Sequence, residues 1–165
     1  MAQVSAGILL YRREDGREDG QLQFLLVHPG GPYFARKDEG AWSIPKGLVD
    51  GDEPPLDAAR REFAEETGID LPDGEYHPLG EVRLRSGKRV RAWATRGDCD
   101  PSTIVSNTFE IEWPPRSGRR RSYPEVDRAG FFDAERAKRK LNPAQAAFID
   151  RACARLLHDE DANAC

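Results

Sequence analysis

Cysteine is scarce in this chain, with three in 165 residues. Cys99, Cys153 and Cys165 are odd in number, far apart and include no CxxC pair. That argues against a disulfide framework or a zinc site and predicts reduced thiols. Histidine is as rare: His28, His77 and His158 are scattered and read as surface or packing residues rather than catalytic ones. No apolar run approaches the roughly 20 residues that span a bilayer. The opening MAQVSAGILLYRR has no basic n-region and enters a strand-like pattern directly, so no secretory leader is expected and the expected location is cytoplasmic. An excess of positive charge is missing as well. With 25 basic against 29 acidic residues the net charge is −4, whereas a general nucleic-acid binder is normally basic. No specific nucleic-acid partner is expected; small anionic ligands held at a local site fit better. Internal repeats and composition breaks are absent too. One domain is therefore expected over residues 1–158, with a frayed tail at 159–165.

What the chain does contain is one highly constrained stretch, Gly47 to Ile69 (GLVDGDEPPLDAARREFAEETGI). From Pro54 to Thr67 its pattern is helical. Leu56, Ala59 and Phe63 recur at the spacing of a core-facing stripe. Pro54 and Pro55 suit a first turn, Asp52 is the predicted N-cap, and Gly68 supplies a left-handed stop. On the polar side, Glu62, Glu65 and Glu66 stand at i, i+3 and i+4, so three carboxylates share one ridge. Like charges at that spacing destabilise a helix by roughly 0.2–0.5 kcal/mol per pair. They also lie near the C-terminus, the wrong end of the helix dipole for anions. Arg61 relieves only part of this, through Glu65 or Glu53. A hard divalent cation would resolve the conflict, because Mg²⁺ prefers carboxylate oxygen and keeps waters that a phosphate can displace. A run of acidic residues on a helix usually just faces water. The glycine, the early Glu53 and the Arg61-Glu62 pair at these spacings argue against that reading here.

With Gly47, Glu53, Arg61, Glu62, Phe63, Glu65, Glu66, Gly68 and Ile69 all in register, the stretch resembles the Nudix box. That is the signature of hydrolases that cleave a nucleoside diphosphate linked to another moiety. The resemblance implies an α/β fold, an α/β/α sandwich around a mixed β-sheet. It implies Mg²⁺ (or Mn²⁺) held by Glu62, Glu65, Glu66 and the backbone carbonyl of Lys46. Arg61 would orient glutamates and Glu53 would support the metal. A further glutamate ahead of the last core strand often acts as ligand or base in the family. Glu125, six residues before Phe131, resembles it, with Glu110 and Glu112 as competitors. Whether Glu62 or Glu125 is the base is left open. The lysine in WSIPKG resembles that of diadenosine polyphosphate hydrolases and diphosphoinositol polyphosphate hydrolases, and the chain as a whole resembles nucleoside and dinucleoside polyphosphate hydrolases. Leu84–Gly87 (LRSG) lacks the proline or tyrosine expected there for other substrates such as ADP-ribose. The substrate implied is a nucleoside triphosphate or dinucleoside polyphosphate. A non-catalytic Nudix-fold nucleotide sensor is the alternative, disfavoured by the intact box.

Elsewhere, Val4–Arg12 and Gln21–Val27 read as paired strands. The loop HPGGPYFARKDEGA carries Tyr33, Arg36 and Lys37, an aromatic beside two cations that can meet a base and a phosphate. Glu75–Arg85 and Lys88–Arg96 read as a hairpin with one covered face, and Thr108–Trp113 as a strand. Arg116, Arg119, Arg120 and Arg121 form the densest basic cluster, read as a loop that is either solvated or grips phosphate. Arg119 and Lys46 are the cations of this reading that would touch substrate, with Tyr33, Arg36 and Lys37. Ala134–His158 splits at Asn142-Pro143 into two helices, the second with an apolar stripe of Ala146, Ile149, Cys153 and Leu156.

Overall fold

The computed structural model describes residues 3–17, 20–157 and 165. His158 and most of the expected frayed tail lie outside the described residues. Strand β1 (Val4–Arg13) is the hub, and seven consecutive residues of it are buried. Such a strand reads as a nearly continuous apolar run, because both of its faces are covered. On one edge it pairs in parallel with β5 (Arg89–Arg96), from Val4↔Arg89 to Tyr11↔Arg96. Its other edge changes partner. Tyr11–Arg13 pair with β2 (Leu22–Pro29), while Ser5–Gly7 pair with the short β3 (Lys46–Leu48), both antiparallel. With β4 (His77–Arg83) and β8 (Val126–Asp133) at the outer edges, the sheet has six strands and mixed polarity.

Alternation along β1 sorts the core into two layers. Ala6, Ile8 and Leu10 pack with Ala58, Ala59 and Phe63 of α1 (Pro55–Thr67) and with Leu25 and Trp93. Leu9 and Tyr11 face the other way, against α2 (Ala134–Lys140) and α3 (Ala146–Leu156) through Ala134, Ala137, Phe148, Ile149 and Ala152. The result is the expected helix–sheet–helix sandwich. A separate two-stranded unit, β6 (Thr108–Glu112) with β7 (Arg120–Pro124), stands off the main sheet.

Four expectations need correction. Asp52 does not cap α1; the N-cap residue is Pro54, whose ring has no acceptor to offer, and Pro55 at the first helical position removes one orphan N–H. On β5, Trp93 and Thr95 are buried along with Val90, Ala92 and Ala94, because α1 covers the second face of its C-terminal half. The cluster Arg116–Arg121 is only partly a loop: Arg116 and Arg119 lie in a turn, but Arg120 and Arg121 are ladder residues of β7, in register with Glu112 and Ile111. Finally, Cys153 and Cys165 form a disulfide, so only Cys99 is a free thiol and residue 165 is tethered rather than frayed. Spacing could not show this, because the pairing depends on where the chain returns after α3. Among the described residues no helix is long and apolar enough to cross a membrane.

Candidate active site

Helix α1 presents its glutamates because its other side is committed to the core. Phe63 is fully buried, which contributes roughly 1.5–3 kcal/mol. Ala58, Ala59 and Thr67 are buried beside it, leaving Glu62, Glu65 and Glu66 on the opposite ridge. Gly68 ends the helix at φ 69°, its N–H on the Ala64 carbonyl, as the left-handed stop requires.

Arg61 gathers the carboxylates. Its Nε and Nη2 donate to the two oxygens of Glu53, each at 3.0 Å. Nη1 donates to Glu62 at 2.9 Å and to Glu65 at 3.3 Å, and Nη2 also reaches the Leu48 carbonyl at 3.1 Å. Both of the pairings open to Arg61 in the sequence are thus made at once. The planar five-donor guanidinium is the group that can do this. The bond to Glu53 holds Glu53 below the usual carboxylate range and pushes the already high pKa of Arg61 further up.

β3 supplies the opposite wall. The Lys46 N–H donates to Glu66 Oε2 at 3.0 Å. A Cβ on Gly47 would collide with the Glu62 carboxylate. Glycine at the head of the box is therefore a matter of space: a strand must pass flush against a carboxylate. Burial raises Glu62, with the charges of Glu65 and Glu125 adding to it and Arg61 opposing. Burial likewise pushes Glu66 up to about 8, with Glu62 and Glu125 adding and Lys46 opposing. The same desolvation lowers Lys46, assisted by Lys88 and opposed by Glu66 and Glu62.

Glu125 joins this group from the other end of the chain. It sits between β7 and β8, and its backbone is held on both sides. Its carbonyl accepts from Gly30 N–H at 2.9 Å and its N–H donates to the Asn107 carbonyl at 2.8 Å. Asn107 in turn donates to the Glu65 carbonyl at 2.9 Å. By contrast, Glu110 and Glu112 lie on β6, with Glu110 paired to Arg120 at 3.6 Å.

The residues proposed to touch substrate are less closely drawn in. Lys46 is at the site. Tyr33 is 56% exposed, its ring edge on Trp113 at 5.2 Å. Lys37 lies over Phe34, Arg36 is exposed, and Arg119 is in the β6–β7 turn. Two buried residues outside the predicted site set fix the frame. His28, fully buried, bonds Asp127 through Nδ1 at 2.8 Å and the Lys37 carbonyl through Nε2 at 2.7 Å. It therefore ties the loop after β2 to the residues just past Glu125. Gln145 accepts from Ile44 N–H at 3.0 Å and donates to Ser43 Oγ at 3.1 Å, fastening the approach to Lys46. Only the packing role read for His28 was legible; Gln145 gives no local signal.

The donor set suits a hard divalent cation: several carboxylates crowd one place, and burial with mutual repulsion makes two of them hard to ionise. As they stand, Glu62 and Glu65 are turned to Arg61 and Glu66 to the Lys46 amide, so no closed three-ligand cluster is formed among the described residues. Among the described residues no buried side-chain oxygen lacks a partner. Oε2 of Glu66 accepts from the Lys46 amide, which leaves its other oxygen as a candidate donor to an ion.

This chain resembles several known proteins. It is 40% identical over 65 residues to an RNA pyrophosphohydrolase of Bartonella henselae, covering 39% of this chain and 35% of that one. It is 35% identical over 100 residues to an RNA pyrophosphohydrolase of Rhizobium meliloti, covering 52% and 54%. The matches thus span about half or less of those relatives' length. Among solved structures, a C. elegans Ap4A hydrolase binary complex superposes with a TM-score of 0.66 at 22% identity, covering 94% of this chain and 98% of the other. The NUDIX domain of Shewanella oneidensis NrtR, complexed with ADP ribose, gives 0.64 at 17% identity, covering 95% and 90%. Both share the fold. The NUDIX domain model matches residues 1–152, which include the glutamate ridge, the Arg61 clasp and Glu125; the chain belongs to the Nudix family.

Proposed function

We propose that this chain is a Mg²⁺-dependent pyrophosphohydrolase that cleaves a phosphoanhydride bond in a 5′-polyphosphorylated nucleotide. The substrate is a nucleoside triphosphate, a dinucleoside polyphosphate, or the 5′ end of an RNA, as the names of the matched relatives suggest. The observation that carries this reading is the convergence of Glu62, Glu65, Glu66 and Glu125 on one place with Arg61 bridging Glu53, Glu62 and Glu65. Glu62, Glu65, Glu66 and the Lys46 carbonyl would hold Mg²⁺, or Mn²⁺. When bound, the ion supplies neutralisation of phosphate oxygens and a water of lowered pKa.

The chain's own groups do the rest. Arg61 spreads one positive charge over three carboxylates and fixes their directions, so they need not reorganise during the reaction. Glu62 or Glu125 accepts the proton of the attacking water; both lie close enough to Glu66 for their charges to raise its pKa. The Lys46 ammonium, half-buried against the acidic group, offers a point charge to the phosphate chain. The test is product release from ATP, diadenosine tetraphosphate, ADP-ribose and 5′-triphosphorylated RNA, with Mg²⁺ and with EDTA. Mg²⁺-dependent turnover of one of the polyphosphates is expected. Saturable binding without turnover would favour the nucleotide-sensor alternative and overturn the enzyme reading.

A further inference from the structure

The β6–β7 arm stands on the site described above and ends in positive charge. Asn107, at the foot of β6, is bonded to the Glu65 carbonyl and to Glu125 N–H at 2.9 and 2.8 Å, and Val105 N–H reaches the Thr67 carbonyl at 2.9 Å. From there β6 and β7 pair only with each other, from Thr108↔Pro124 to Glu112↔Arg120. Five strand residues at about 3.4 Å each carry the turn roughly 17 Å from its root. That turn and the start of β7 read WPPRSGRRR. Arg120 meets Glu110, but Arg116, Arg119 and Arg121 have no acidic partner among the described residues, and all three are exposed.

Among the described residues the side chains of those arginines make no ion pair that holds the arm. The arm is held by Phe109, which packs on Tyr123 and closes against Gly31. Three unpaired guanidiniums on a chain of net charge −4 are set against its overall sign. Beside them stand Trp113 and the exposed Tyr33, edge to face. Because the arm's foot is bonded to the backbone of Glu65 and Glu125, the arm starts at the acidic group and leads away from it. A mononucleotide places all of its phosphates at the glutamates and leaves none for the arm. A single-stranded chain offers further phosphates to arginines and base faces to aromatics.

We propose that the β6–β7 arm binds the nucleotides that follow the first in a 5′-polyphosphorylated RNA, making an RNA end, rather than a free nucleotide, the preferred substrate. This rests on the pyrophosphohydrolase reading. It reverses the expectation, drawn from net charge, of no nucleic-acid partner: the relevant charge is local.

The full chain and its R116S/R119S/R121S variant are compared by kcat/KM on a 5′-triphosphorylated decaribonucleotide, ATP and diadenosine tetraphosphate, at two salt concentrations. The RNA-to-ATP ratio is expected to fall at least ~10-fold in the variant, mainly through KM, and its salt dependence to flatten. The matching arginine-to-lysine variant should keep most of the preference. An unchanged ratio overturns the proposal. An equal loss on diadenosine tetraphosphate also overturns it, by assigning the arm to a distal nucleoside. If no substrate turns over, the pyrophosphohydrolase reading fails by itself. The arm is then judged by fluorescence anisotropy of the same RNA, where equal affinity of wild type and variant overturns the proposal.

Discussion

At the acidic end of α1 every side chain is held by a neighbour. Glu62 and Glu65 lie on Arg61, Glu66 on the Lys46 amide, and Gly47 leaves only enough room for the Glu62 carboxylate. The β6–β7 arm is fixed at its root, through Asn107, Phe109 and Glu125, and its turn is closed by backbone bonds, while the arginine side chains of the turn reach into solvent. The acidic end concentrates negative charge under partial burial; the arm spreads positive charge at the surface. The contrast separates two tasks. A group that must hold an ion and pass a proton has to be placed before the substrate arrives. A group that only holds a flexible chain works through long-range charge and tolerates freedom. Substitutions at the acidic end should therefore act on kcat, and those on the arm on KM.

The largest effect that would confirm this division is at Glu66. In Glu66→Gln, kcat is expected to drop at least ~100-fold. Near wild-type turnover in a steady-state assay would break the comparison at its stronger side. Gly47→Ala comes next, because the added methyl collides with Glu62. A loss of about 10–100-fold in kcat is expected, together with about 1–3 kcal/mol of destabilisation by overpacking, read from urea denaturation. Arg61→Lys should do less. A point charge replaces the fork that reaches Glu53, Glu62 and Glu65 together, and about a 10-fold drop in kcat with little change in KM is expected. If that substitution instead moved KM alone, Arg61 would belong with the arm as a substrate holder.

Much of the acidic end was legible in the sequence because local rules fixed it. Helix periodicity put Phe63 inward and Glu62, Glu65 and Glu66 outward, and Gly68 marked the stop. The spacing of Gly47 and Glu53 from Arg61-Glu62 encodes contacts across a single loop–helix unit. Glu125 was legible only by resemblance, since its approach to Glu62 depends on the β7–β8 path. On the arm, β6 reads as a strand, but β7 reads wrongly as part of a loop because PPRSGRRRSYP has none of the apolar alternation of a half-buried strand. The two strands pair with each other and bury little besides Phe109 and Tyr123. His28, Gln145 and the Cys153–Cys165 bond connect residues 9 to 102 positions apart, and no local pattern announces such contacts.

The physical claim beneath all of this is that the crowded carboxylates at the end of α1 take up a divalent cation. Isothermal titration of Mg²⁺ and Mn²⁺ into substrate-free wild type and Glu66→Gln tests it without reference to turnover. Saturable binding by the wild type, weakened at least ~10-fold in the variant, is the expected result. Identical titrations of the two proteins would contradict the account.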